Sequence, residues 1–193
     1  SNMRVQIIQF SPSGNTRKIT NWLIEEMIKK EIEVCLADMT GNTDLFRKKS
    51  TLSFFMKNIR PHDILMIGGP VYAHHLQYHL LDLIDCLPIP DKEIWGKIAI
   101  PYITYGGIHS GIALEEAGKK LKKSGREVFG GLKFSASHKM TRAFMDKEFN
   151  EDKPDLADKK MITDFVDKLI ISQKDSLFQD RADKLIYQSR IEA

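Results

Sequence analysis

The sequence predicts an α/β fold of three layers: a five-stranded parallel sheet in the doubly wound order 2-1-3-4-5, helices on both faces, and one extra helix at the C-terminal end. Three observations carry this expectation. Strand-like apolar runs alternate with helical periods about five times. The run Ile64-Leu65-Met66-Ile67 is apolar without alternation, as a central strand buried on both faces should be. No internal repeat competes with that rhythm, and 193 residues suit one compact core.

The elements follow in order. Val5 to Phe10 reads as the first strand, and Ile19, Trp22, Leu23 and Met27 recur at helical spacing through Glu31. Glu33 to Ala37 is the second strand, and Leu45 to Ile59 holds a short helix that ends before Arg60-Pro61. The third strand closes in Gly68-Gly69-Pro70. Leu76, Leu80, Leu83, Ile84 and Leu87 give the next helix, stopped by Pro88 and Pro90. Lys97 to Tyr105 is the fourth strand, where Pro101 predicts a bulge, a local break or an edge position. A helix through Ala113, Leu114, Ala117 and Leu121 ends at Gly125, and Val128 to Ser135 is the fifth strand. Between Thr141 and Phe165, 12 of 25 residues are charged, which predicts a long exposed loop at the start of that stretch. Ile162, Phe165, Val166, Leu169 and Ile170 then form a stripe that covers the sheet. Residues 3–172 form the domain, and 173–193 form a helical extension that packs on a partner subunit or back on the domain.

Composition narrows the function classes. The 42% hydrophobic and 28% charged residues, with 12 Gly and 7 Pro, describe an ordinary globular chain. A net charge of +3, from 29 basic and 26 acidic residues, is too small for a nucleic-acid footprint. No apolar run approaches the roughly 20 residues that span a bilayer, so a cytoplasmic protein without a membrane partner is expected. Ser1 and Asn2 precede Met3 as a short scar. Cys35 and Cys86 are too few for a disulfide framework or a four-thiolate site and read as small buried hydrophobes.

The chemistry concentrates in three loops. Ser11-Pro12-Ser13-Gly14-Asn15-Thr16 lies between a strand and a helix, where backbone N–H groups without intrahelical partners and the positive helix end favour an anion. The hydroxyls of Ser11, Ser13 and Thr16 add donors, Gly14 lets the chain wrap closely, and Asn15 caps the helix or contacts the anion. The loop has neither the Gly-Lys-Ser/Thr ending of a triphosphate loop nor Gly-x-Gly-x-x-Gly, so a monophosphate fits better; a capped helix start is the plain alternative. Ligands of open parallel sheets lie outside the carboxyl ends of the strands. Two further loops reach that edge, Gly69-Pro70-Val71-Tyr72-Ala73-His74 and Thr104-Tyr105-Gly106-Gly107-Ile108-His109. A phosphate seat with glycines and aromatics opposite suits a flat ring joined to a phosphate by a flexible chain, which is the shape of FMN.

With these three loops the sequence resembles the flavodoxin family over about residues 3 to 172, closest to the flavodoxin half of proteins that join it to a ferredoxin domain; no cysteine motif follows here. The resemblance implies a flavodoxin-like sandwich in which Ser11, Ser13, Gly14, Asn15 and Thr16 bind the FMN phosphate. It further implies that Pro70, Val71, Tyr72 and Ala73 line one side of the ring, and that Thr104, Tyr105, Gly106 and Gly107 bind the pyrimidine edge and the other side. Tyr72 or Tyr105 stacks on the ring, or packs in the core instead. Where members often carry a glycine and a basic residue, this chain has His74 and His75. One of these histidines lies by the flavin and tunes its potential or delivers a proton. His75 and His79, spaced i, i+4 on an expected helix, and His74 fall short of a metal set, having no local carboxylate or thiolate. His109 and His138 also fall on the binding edge, and no Ser-His-Asp set is legible.

The expected function is an FMN-binding electron-transfer protein or oxidoreductase with a redox partner protein or a small-molecule acceptor, compatible with a homodimer. Two alternatives stand beside it: an NAD(P)H-dependent quinone or small-molecule reductase, and a flavin-free binding or regulatory module on the same fold.

Overall fold

The computed structural model describes residues 3–42, 48–91, 94–106, 110–135 and 156–174. In chain order the elements are β1 (Arg4–Gln9), α1 (Asn15–Lys29), β2 (Glu33–Asp38), α2 (Lys48–Asn58), β3 (His62–Tyr72), β4 (His75–Leu76), α3 (Tyr78–Asp85), β5 (Trp95–Tyr105), α4 (Ala113–Lys123), β6 (Glu127–Val128), β7 (Leu132–Ser135) and α5 (Leu156–Lys174). The strands run β2-β1-β3-β5-β6, with β7 also on β5 and β4 paired to β3. All the pairings are parallel except that of β4, so the expected five-strand order holds with β6 and β7 sharing the fifth place.

Successive strand residues point to opposite faces, and both faces here are covered. Ile7 packs with Ile19, Leu23 and Met27 of α1 and with Phe165, Val166 and Leu169 of α5. Its neighbour Ile8 packs with Phe55 of α2, Leu80 and Leu83 of α3 and Leu121 of α4. The end of α4 matches its sequence signal: Gly125 (φ 92°) follows the helix, its N–H donates to Lys122 O, and that of Arg126 donates to Leu121 O, which is a Schellman ending. No described helix is long and apolar enough to cross a membrane.

Four expectations need correction. Strand β5 runs through Pro101 without a break, in register with Ile67 of β3. The break lies in the strand opposite. Ala99 O accepts the Phe129 N–H at 3.0 Å, so the edge shared by residues 99 and 101 faces the fifth strand. There β6 pairs only with Ile98 and Ala99, and β7 resumes at Tyr102, so the donor that proline lacks meets no ladder acceptor. Second, Val128 to Ser135 is therefore two short strands. Third, α3 begins at Tyr78 and His75 stands in β4, so His75 and His79 do not share a helix face. Fourth, Cys35 and Cys86 are only partly buried, and Thr51 Oγ1 donates to Cys86 Sγ at 3.4 Å. The charged stretch through residue 155 and the extension from residue 175 lie outside the described residues.

Candidate functional site: three loops at the carboxyl edge

The first loop leaves β1 and enters α1 through Gly14, whose φ of 89° is left-handed. A Cβ there would meet nothing within 4 Å, so the loop is open above this point. Its shape is held by a closed circuit of side chains. The Ser11 N–H donates to Thr40 Oγ1 at 2.8 Å, Ser11 Oγ accepts the Arg17 N–H at 2.8 Å, Arg17 Nη1 meets Asp38 Oδ2 at 3.2 Å, and the Thr40 N–H donates to Asp38 Oδ1. Pro12, Ser13 and Gly14 are exposed while Ser11 and Thr16 are buried. The first turn of α1 carries no acidic residue, although a helix N-terminus favours one, and holds Arg17 and Lys18 instead. Thr40 and Arg17 were not singled out from the sequence. The rule that ligands collect at the carboxyl ends of strands points to Thr40, two residues past the end of β2.

The second loop is a β-hairpin. Val71 pairs with Leu76 and Tyr72 with His75, leaving Ala73 and His74 as a two-residue turn. Both have positive φ, 48° and 69°, as a type I′ turn requires, and neither is the glycine or asparagine that adopts it easily. Gln77 closes the base: its N–H donates to Pro70 O, and its side-chain oxygen accepts the Leu80 N–H to cap α3. Its amide nitrogen lies 2.7 Å from His79 Nδ1, and burial pushes the pKa of that imidazole down. Tyr72 is 42% exposed on the rim, and partial burial raises its phenol pKa.

The third loop leaves β5. Thr16 and Thr104 share a buried hydroxyl–hydroxyl hydrogen bond of 2.8 Å, which joins the first loop to the third. Both hydroxyls are thus directed at each other. Tyr105 is half-buried, with Lys133 Nζ 5.9 Å from its ring centre. Gly106 is described; Gly107, Ile108, His109 and His138 lie outside the described residues. Beyond the gap, Gly111 packs on the hairpin turn, and the Ile112 N–H donates to His74 O at 3.1 Å. Of the fourteen residues expected in the site, all but Gly107 are therefore placed at this one edge. Among the described residues no group of three His, Cys, Asp or Glu could hold a metal. A cavity of about 790 Å³ opens at the other end of the sheet, between Met3, Ile64, Trp95 and Ile98, away from these loops.

Residues 3–139 match the family described as NADPH-dependent FMN reductase. The chain belongs to that family. Solved structures carry the same fold. The apo form of the NADH:FMN oxidoreductase EMOB is 17% identical, with 89% of this chain and 90% of that one covered and a TM-score of 0.58. The flavodoxin of Streptococcus pneumoniae TIGR4 is 14% identical over 87% and 98% at 0.56, and oxidised flavodoxin 2 of Bacillus cereus is 17% identical over 84% and 94% at 0.55. No curated protein matches the sequence. As a member of this family the chain is an FMN-binding, flavodoxin-like oxidoreductase or electron-transfer protein. The residues present fit that cofactor: an open helix N-terminus without carboxylates suits its phosphate, and an aromatic rim between two loops suits its ring.

Proposed function

We propose that this chain holds FMN without a covalent bond, with the phosphate at Ser11, Ser13, Gly14, Asn15 and Thr16. The ring lies between Pro70, Val71, Tyr72, Ala73 and His74 on one side and Thr104, Tyr105, Gly106 and Gly107 on the other. The observation that carries this reading is the first turn of α1: glycine-entered, open to solvent, and basic where an isolated helix would prefer acid. A dianion seated there offsets the positive end of the helix dipole. Thr16 and Thr104, bonded to each other, fix the distance between the phosphate loop and the third loop, and because one hydroxyl proton makes that bond the other is left to donate to the cofactor.

Bound FMN supplies the redox chemistry, and the chain binds it, orients it and shields one part of it from water. Electrons then pass between a reduced donor and a small-molecule or protein acceptor. The family description favours a second, more specific reading, in which NADPH is the donor and the protein is a reductase. An absorption spectrum of the purified protein with added FMN tests the first reading: a protein-bound flavin band that dithionite bleaches is expected, and it should be lost in Ser13→Asp, which puts a carboxylate at the phosphate seat. Riboflavin phosphate that keeps its full fluorescence with excess protein overturns the reading. Steady-state NADPH oxidation with a quinone separates reductase from carrier.

A further inference from the structure

The hairpin that forms the second loop is strained, and its ties lead to a single place. Ala73 and His74 hold positive φ without being glycine, a conformation that costs free energy and persists only where neighbours over-determine it. Those neighbours lie at the start of α4. A Cβ on Gly111 would come within 2.7 Å of the Cα and carbonyl oxygen of His74, so only glycine allows this approach. The Ile112 N–H donates to the same carbonyl. One residue further along the hairpin, His75 Nδ1 donates to Glu116 Oε2 at 3.0 Å.

Glu116 is the informative partner. Its second oxygen, Oε1, is buried and has no hydrogen-bond partner among the described residues, which is a cost for a carboxylate. A helix start favours acidic residues, but exposed Glu115 beside it meets that preference without any burial. The dipole therefore does not explain why Glu116 lies against the hairpin with one oxygen dry. Contact with His75 does.

We propose that His75 and Glu116 form a positioning pair that fixes the strained turn Tyr72–His75 against α4, so that the second loop presents FMN with one pre-set wall. The link to FMN rests on the function proposed above; the fixing of the turn does not. Removing either partner lets the turn relax, and a cofactor that needs the fixed turn then binds more weakly by the fraction of molecules that still hold it.

The test uses His75→Ala, Glu116→Ala, the double variant and Glu116→Gln, which keeps an acceptor oxygen for Nδ1. In the protein without FMN, each alanine variant should leave the amides of residues 72–76 nearly unprotected against hydrogen exchange, because most molecules then hold the relaxed turn. Each should also weaken FMN binding about fivefold and shift the midpoint potential of the bound flavin. The double variant should match a single one, and Glu116→Gln should restore most of both effects. Unchanged exchange in the alanine variants, or a double variant equal to the product of the singles, overturns the pairing, and faster exchange with unchanged FMN affinity overturns its link to the cofactor. If the parent protein takes up no FMN while exchange responds as stated, the cofactor reading falls and the fixed turn stands.

Discussion

Ser11 illustrates how one side chain shapes a binding loop from within. Its hydroxyl accepts the Arg17 N–H, one of the donors that a helix start leaves without an intrahelical partner, while its own N–H is held by Thr40. Ser11→Ala removes that acceptor and should cost about 1 kcal/mol, as the loss of a cap does. In a chain of this length the melting temperature should fall by about 2–4 °C in a thermal scan without FMN. Gly68 is constrained by bulk instead. A Cβ there would land on the ring of Tyr102, which is fully buried and bonded through its hydroxyl to Thr20 Oγ1 at 2.7 Å, so the ring has nowhere to go. Gly68→Ala should destabilise by about 3 kcal/mol, the upper end for overpacking. Chemical denaturation measures it, and a loss below about 1 kcal/mol would mean that the ring moves freely.

At the scale of elements, the end of α1 uses the same Schellman ending as α4 but with Glu31 in the left-handed position. Glu31 has φ 59°, its N–H donates to Ile28 O, and that of Ile32 donates to Met27 O. Glu31→Gly should therefore stabilise the protein by about 0.5–1 kcal/mol, since the left-handed penalty of a residue with a Cβ exceeds the entropic cost of glycine. A melting temperature that does not rise would show that Glu31 is held by other contacts. These helix ends also mark what the sequence discloses. Glycine after α4 announces its ending, and glutamate after α1 does not. The apolar tetrad at residues 64–67 and the Ser-rich turn at 11–16 were legible because strand burial and helix starts leave local composition signals. The hairpin at 71–76 was not, because Ala73-His74 lacks the Asn-Gly signature of its turn type. Nor were the links between loops. Thr16 and Thr104 are 88 residues apart, and His75 and Glu116 are 41 apart, so nothing in local pattern relates them.

Over the whole molecule, the three loops gather at the carboxyl ends of the strands, while buried His62 and Arg126 stand at the amino ends of β3 and β6. His62, at the start of β3, is buried, with Nδ1 bonded to Arg60 O at 2.8 Å and Nε2 without a hydrogen-bond partner among the described residues. Burial pushes its pKa below the ordinary 6.5; the hydrogen bond to the Arg60 carbonyl is the next largest effect and opposes it, and the Arg126 charge, ahead of Asp63 and Arg4, adds to the lowering. Burial lowers the pKa of His79 as well. Both imidazoles are thus held neutral by the fold, while in the unfolded chain each takes up a proton near pH 6.5. The unfolded state then binds more protons than the folded state in the window below about 6.5, and stability there must rise with pH. Urea denaturation of the FMN-free protein should show full stability above about pH 7 and a decline as the pH falls through about 6.5, until the folded state itself protonates. His62→Gln should flatten part of that decline, and because His62 stands at the amino edge, it should do so without changing FMN affinity. A stability that is level between pH 7.5 and 5.5, or a His62→Gln variant with the parent's full slope, would mean that these imidazoles do not govern the acid limb.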